Sequence, residues 1–175
     1  MNFLAVAVLG EDRPETLEAV TYTVQECKCE LLDSRLTLLG DVVSMLLLIQ
    51  GNWNTLARLE TQLQKLERSH KLRCLIQRSH GFREYSDLRP YAVEVNTLER
   101  PMVVPRILDF FNSRSVRIVD FATRSYRVTH TATPMLAINL VIGIPEPIHA
   151  GMLRDEFFDM CDEYDWDGLL EPVQG

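Results

Sequence analysis

The sequence predicts an α+β protein made of two copies of a ferredoxin-like βαββαβ unit, each an antiparallel sheet with helices on one face. Its 175 residues are enough for two small domains. An Arg-Pro pair stands between an apolar run and a helical pattern in "LGEDRPETLEAV", and Arg13-Pro14 recurs 87 residues later as Arg100-Pro101 in "NTLERPMVVPRI". In both halves the apolar spacing changes between strand and helix periods in the same order, which indicates an internal duplication.

The first copy shows each expected element in turn. A continuous apolar run, Phe3 to Leu9, is typical of a central strand. Pro14 suits the first turn of the following helix, because proline has no N–H to donate there. Gly40-Asp41 is a hairpin signal between two strands, and the second helix is expected to start near Asn54-Thr55. The remaining elements are predicted at 31–39 and 42–50 (strands), at Leu56, Leu59, Leu63 and Leu66 (helix face) and at 72–77 (strand).

The second copy repeats this order after a polar segment. The sequence therefore predicts a first domain at 1–80, a linker at 81–90 and a second domain at 91–175. Asp33 of the first copy aligns with Asp120, and "SMLLLI" aligns with "PMLAIN" at an offset of 90, which predicts a longer hairpin in the second copy. The predicted elements are strands at 91–95, 116–126, 135–144 and 168–173, a helix with Val103, Ile107 and Phe111, and a helix with Leu153, Phe157, Met160 and Tyr164.

The composition excludes several function classes. A net charge of −7 argues against nucleic-acid binding, which needs clustered Lys and Arg. "MNFLAVAVLGEDRP" has no basic n-region, and no apolar run approaches the roughly 20 residues of a membrane helix, so a cytoplasmic protein without membrane contact is expected. The scattered cysteines match no metal motif and are predicted to be reduced, buried thiols: Cys27, Cys29, Cys74 and Cys161.

Three functions common on this superfold lack their residues. An RNA-recognition domain needs aromatic side chains on its central strands, but "SMLLLIQ" and "AINLVIGI" have none. A metal-carrying domain needs CxxC in the first loop, and an acylphosphatase needs a Gly- and Arg-rich phosphate cradle. "GEDRP" has one glycine and two acids, which would repel phosphate.

The apolar strand, the loop "GEDRP" at the helix start and the Asp-Ser pair in the second strand resemble the ACT regulatory domain. "QECKCELLDSRLTLLGD" and "TPMLAINLVIGIP…LRDEFFDMCDEYDWDGLLEP" are similar to the family of glycine cleavage system transcriptional repressors, over essentially the whole chain. The resemblance implies two tandem ACT domains and a regulatory role without catalysis. It also implies repression by contact with a LysR-type activator, and glycine as an effector. Homodimerisation is left open.

The strand-to-helix loop is the candidate effector site. A helix N-terminus offers unpaired N–H groups and a positive dipole end to a carboxylate, and Asp33 offers an anionic partner for an ammonium group. The family glycine after Arg-Pro is Glu15 here and Met102 in the second copy. Carried over from the resemblance, the candidate residues are Gly10, Asp12, Arg13, Pro14, Asp33 and Ser34, and in the second copy Glu99, Arg100, Pro101 and Asp120.

A purely structural interpretation competes with this site. Asp12 would cap its own helix, Arg13 would pair with Asp33, and Pro14 would only set the helix start. The alternative function is then a ligand-free ACT module that binds some other protein partner. A third interpretation, an enzyme, lacks a nucleophile–base pair in the sequence.

Two further features have structural explanations. Trp53 and Trp166 are predicted to be packing residues. The acid-rich segment 155–167 is expected to form a charged helix face rather than a metal site, because its Phe and Met positions form one apolar stripe.

Overall fold

The computed structural model describes residues 2–81 and 87–173, in two compact units, Met1–Arg83 and Glu84–Gly175. The predicted linker, 81–90, is described only in part, since 82–86 lie outside the described residues. A strand already begins at Leu88, within the expected linker. The domain boundaries proposed from the sequence stay a prediction. No helix in the described part of the chain is long and apolar enough to span a membrane.

The first unit has the predicted order βαββαβ. Its four strands form one antiparallel sheet in the order β2-β3-β1-β4. Alternate residues of the two central strands are buried, Val6 and Leu47 among them, and they pack with the apolar faces of both helices. The elements are β1 (Asn2–Glu11), α1 (Pro14–Glu26), β2 (Glu30–Leu39), β3 (Val42–Gly51), α2 (Trp53–His70) and β4 (Arg73–Ser79).

Helix α2 begins with a capping box. The Oδ1 of Asn52 accepts a hydrogen bond from the N–H of Thr55 (2.9 Å), and the Asn52 N–H donates to Oγ1 of Thr55 (3.0 Å). These bonds satisfy N–H groups that the first turn leaves unpaired. The helix therefore starts at Trp53, slightly before the predicted Asn54-Thr55 start. Its leucine stripe is buried as predicted: Leu56, Leu59, Leu63 and Leu66.

The second unit repeats the fold with an aromatic core. Its sheet has the order β6-β7-β5-β8, again antiparallel. Phe111 stacks on Phe157 with ring centroids 5.7 Å apart, which joins its two helices above the sheet. The elements are β5 (Leu88–Leu98), α3 (Val103–Ser113), β6 (Arg117–Arg127), β7 (Pro134–Pro145), α4 (Ala150–Tyr164) and β8 (Asp167–Pro172).

The strand pairing corrects the predicted alignment of the third strands. Ala7 pairs with Leu46, and Glu94, at the equivalent position of β5, pairs with Asn139, which lies 93 residues after Leu46. The predicted offset of 90 was wrong. An error of three residues exchanges the two faces of a strand, because side chains alternate with a period of two. The apolar runs of β3 and β7 are too uniform to fix the alignment by themselves.

The edge strands β2 and β6 carry a bulge at the same place in the two units. The pairing of β2 with β3 shifts between Leu31 and Asp33, and that of β6 with β7 shifts between Ile118 and Asp120. A bulge inserts one residue and changes which face the following residues occupy. The predicted match of Asp33 with Asp120 is therefore confirmed, since each follows its bulge at the same point of its sheet.

The two tryptophans differ. Trp166 is 8% exposed and stacks on Tyr164, as expected of a packing residue. The prediction for Trp53 was wrong, because this residue is 65% exposed, and the guanidinium of Arg78 lies over its ring, 4.7 Å from the ring centroid. The acids of 155–167 are all exposed, which confirms the charged helix face.

Candidate functional site

The β1–α1 loop is anchored to the hairpin between β2 and β3. The N–H of Asp12 donates to the carbonyl of Asp41 (2.9 Å). Gly10, the second-last residue of β1, lies against Leu72, so that a Cβ on Gly10 would clash with Cδ2 of that buried leucine. A larger residue at this position would therefore require Leu72 to shift, so packing alone favours the glycine, independently of any ligand.

The side chains of this loop point into solvent. Arg13 is the N-cap residue of α1, and its extended backbone offers no side-chain cap to the helix. Its guanidinium binds the carboxylate of Glu11, with Nε 3.0 Å from Oε2, and this hydrogen bond lowers the pKa of Glu11. Neither structural alternative predicted for these residues is found: Asp12 does not cap the helix, and Arg13 pairs with Glu11 rather than with Asp33.

Asp33 and Ser34 lie elsewhere on the sheet. Asp33 pairs with Leu48, which in turn pairs with Ala5 of β1. The loop follows Gly10, so about five residues of strand, or roughly 17 Å, separate Asp33 from it. One unit therefore does not bring the loop and Asp33 together around a single small ligand.

The second copy shows the same separation. The N–H of Glu99 donates to the carbonyl of Pro134 (3.0 Å), and the Glu99 carboxylate accepts a hydrogen bond from Oγ of Ser125 (3.3 Å). Arg100 and Pro101 are exposed in the turn before α3. Asp120 pairs with Val141 at the level of Ala92, six residues before the end of β5 and roughly 20 Å from the loop.

Asp33 does line a small cavity that the sequence reasoning missed. The cavity has a volume of about 190 Å³, below the roughly 300–1,000 Å³ of pockets for drug-sized ligands. The Asp33 carboxylate and the Arg35 guanidinium are 3.4 Å apart at its edge, and its floor includes Ala5, Leu46 and Leu48. We call this the strand site and call Gly10, Asp12, Arg13 and Pro14 the loop site. The sequence contained one indication of this cavity. In "SMLLLIQ" the residues from Met45 to Ile49 are apolar at every position, so alternate leucines must lie on the face of the sheet opposite the core.

The four cysteines are free thiols, as the sequence predicted. Burial raises the pKa of Cys74 and of Cys161 to about 11, so both are protonated thiols at neutral pH. All four cysteines are free, and Cys27 and Cys161 are buried, whereas Cys29 and Cys74 are half-buried. Within residues 2–81 and 87–173, no three His, Cys, Asp or Glu side chains come together in a way that could hold a metal ion.

The first unit matches a known domain family. Residues 2–77 match the family model of the ACT domain, and the second unit repeats the same strand order and fold. It is similar to the glycine cleavage system transcriptional repressor of Escherichia coli (strain K12), with 23% identity over 172 residues, which cover 98% of this chain and 90% of that protein. The repressor of the same name from Shigella flexneri matches to the same extent.

Solved structures share the whole fold. One, provisionally named a glycine cleavage system transcriptional repressor, has a TM-score of 0.78 at 21% identity and covers 99% of this chain and 98% of its own. A protein from Galdieria sulphuraria, described as unknown, has a TM-score of 0.78 at 17% identity and covers 99% of both chains. These structures support the architecture of two units with the same fold.

Proposed function

We propose that the chain is a non-enzymatic, cytoplasmic regulator that represses glycine cleavage genes by contact with a LysR-type transcription activator. The observation that supports this most is the similarity to the E. coli repressor over 98% of the chain, because it includes both units and the connection between them. The net charge of −7 favours repression through a protein rather than through DNA, since the phosphates of DNA repel an excess of negative charge.

We further propose that a small amino acid, glycine first, modulates this contact. The loop site supports this proposal with the N-terminus of α1, where the helix dipole favours a carboxylate. The strand site supports it in another way: Arg35 and Asp33 together complement the carboxylate and the ammonium group of a zwitterion. The two sites are alternatives for one ligand because they lie too far apart to share it.

Binding between purified proteins tests the repressor proposal. The full chain is mixed with the LysR-type activator of the glycine cleavage genes from the same genome, and complex formation is followed by gel filtration. Fluorescence anisotropy on the control-region DNA provides the second measurement. We expect a complex with the activator and no binding of the chain alone to DNA. Absence of a complex at tens of micromolar, or direct DNA binding, would contradict the proposal.

A specific observation favours a second candidate function, a ligand-free interaction module. Glu15 is exposed in the first turn of α1, where its carboxylate repels the carboxylate of an incoming amino acid. Thermal shift with glycine, alanine and serine separates the two candidates, with glycolate as a control that lacks the ammonium group. If no amino acid raises the melting temperature at millimolar concentration, the ligand-free module is the better description.

A further inference from the structure

The face of the first sheet that points away from α1 and α2 has an apolar centre, and we call it the outer face. Its central pair is Ala7 and Leu46, and Leu75 of β4 is in register with Ala7 on the other side. Leu46 is 55% exposed and Leu75 is 72% exposed. The apolar residues of the outer face include Phe3, Ala5, Ala7, Leu9, Leu46, Leu48 and Leu75.

The second unit provides an internal comparison. At the position of the Ala7–Leu46 pair it carries Glu94 paired with Asn139, and both side chains are exposed. The same fold in the same chain thus has a polar centre on one outer face and an apolar centre on the other. Both units need an apolar core on the helix side of the sheet, but the opposite face is not part of that core. Folding of the sheet therefore does not explain the difference between the two outer faces. It indicates that the outer face of the first unit contacts another body.

We propose that this body is a second copy of the chain and that two first units pack outer face to outer face. The charges on the outer face are self-complementary. Arg35 is in register with Leu46, and Asp33 is in register with Leu48. Consider a two-fold axis that lies between the two faces, perpendicular to the strands, at the level of Val6. Asp33 lies at the level of Ala5 and Arg35 at the level of Ala7, on either side of Val6. The axis therefore places Asp33 of each chain opposite Arg35 of the other.

The same axis leaves no like charges opposed. Leu46 comes to face Leu48 of the second copy, and Ala7 comes to face Ala5. Arg73, in register with Leu9, comes to face Ser79, because Ser79 is in register with Phe3 on the other side of Val6. The strand site, a cavity between these leucines, would then receive an aliphatic side chain of the second copy.

The area is sufficient for a dimer. Four strands spaced about 4.8 Å apart and about ten residues long give a face of roughly 600 Å². Two such faces bury roughly 1,200 Å² together, at the lower end of stable interfaces. Charge repulsion between two first units is also low, since residues 1–80 hold 10 of the 25 acidic residues and 9 of the 18 basic residues.

Sedimentation of the full chain tests the proposal. The wild type is expected to be a dimer of the 20.1 kDa chain at tens of micromolar. Leu46→Glu should weaken dimerisation at least about 100-fold, because each copy would bury a carboxylate in place of an apolar side chain, next to Arg35, which is needed by Asp33 of the other copy. Asn139→Glu, at the equivalent position of the second unit, is the matched control and should leave the dimer unchanged. Thermal unfolding checks that both variants fold. We expect both to fold, because Leu46 and Asn139 are exposed and neither belongs to a core.

Charge exchange tests the orientation. Asp33→Arg should weaken dimerisation about tenfold by opposing two arginines, and the double variant Asp33→Arg with Arg35→Asp should restore it. A monomeric wild type would overturn the proposal. So would a dimer that survives Leu46→Glu, since the chain would then pair through another surface, such as the exposed edge of β2. Neither result bears on the activator contact, which is measured separately.

Discussion

Glu15 and Met102 occupy equivalent positions in the two units, one residue after the shared Arg-Pro pair, but their backbones differ. Glu15 lies in the first turn of α1. Met102 precedes α3 with φ = 71°, in the left-handed region that glycine adopts without cost. One loop therefore continues directly into its helix, while the other holds a strained residue just before it.

We expect Met102→Gly to stabilise the protein by about 0.5 kcal/mol, because relief of the left-handed strain exceeds the extra entropy of the unfolded chain. Glu15→Gly is the matched comparison and should destabilise by about 0.5–1 kcal/mol, since it places glycine inside a helix and removes an acid from its first turn. Urea unfolding followed by circular dichroism measures both. Loss of stability in both variants would show that the φ of Met102 carries no strain.

The capping box of α2 gives a second prediction. Asn52→Ala should destabilise the first unit by about 1 kcal/mol, because it removes the hydrogen bond to the N–H of Thr55. Asn54→Ala, two residues on and exposed, is the control and should change stability by less than about 0.5 kcal/mol. An equal effect of the two variants in urea unfolding would mean that the box does not determine where α2 starts.

Stability should fall as the pH rises from about 9 to 11. Burial, and in second place the carboxylate of Glu67, raises the pKa of Cys74 to about 11. The thiol ionises at lower pH in the unfolded chain than in the folded one, so unfolding releases a proton between about pH 9 and 11. A higher pH in this range therefore favours the unfolded state. The contribution is complete below pH 9. Melting temperatures between pH 8 and 10.5 should drop less steeply in Cys74→Ala than in the wild type, and identical slopes would refute the assignment.

The separation of Asp33 from the loop predicts how an effector site responds to substitution. If glycine raises the melting temperature, only one of Arg13→Ala and Asp33→Ala should abolish the effect, since roughly 17 Å separates the two sites. Loss in both variants would require a site built from more than one unit. If Asp33 is the critical residue, glycine should also weaken self-association, because it competes for Asp33 and Arg35 with the second copy.

The order of the elements was predictable because each signal is local. The leucine stripe of α2 and the Pro14 helix start depend only on spacing along the chain, and the structure has both. The hairpin at Gly40 was equally clear, since its positive φ of 65° is typical of glycine in a tight turn. Helix and strand ends moved by a few residues, as the start of α2 at Trp53 shows.

The candidate site was less predictable, because it depends on register. Asp33 pairs with Leu48 of β3, and Gly10 pairs with Val43, so the two residues lie at different levels of the sheet. The sequence does not reveal this pairing, because the run Met45 to Ile49 is apolar at every position. The exposure of Trp53 likewise depends on where α2 begins relative to the sheet. Sequence spacing places residues along a strand but not beside a particular neighbour.

The Glu94–Asn139 pair has a consequence for how many copies can join. A chain with two apolar outer faces would be bivalent, and each added copy would leave another face open, so that assembly would continue into filaments. With a carboxylate at the centre of one face, the chain is monovalent, and assembly stops once two copies have met. The polar centre of the second unit's outer face thus limits the assembly formed through the outer face of the first unit to two chains.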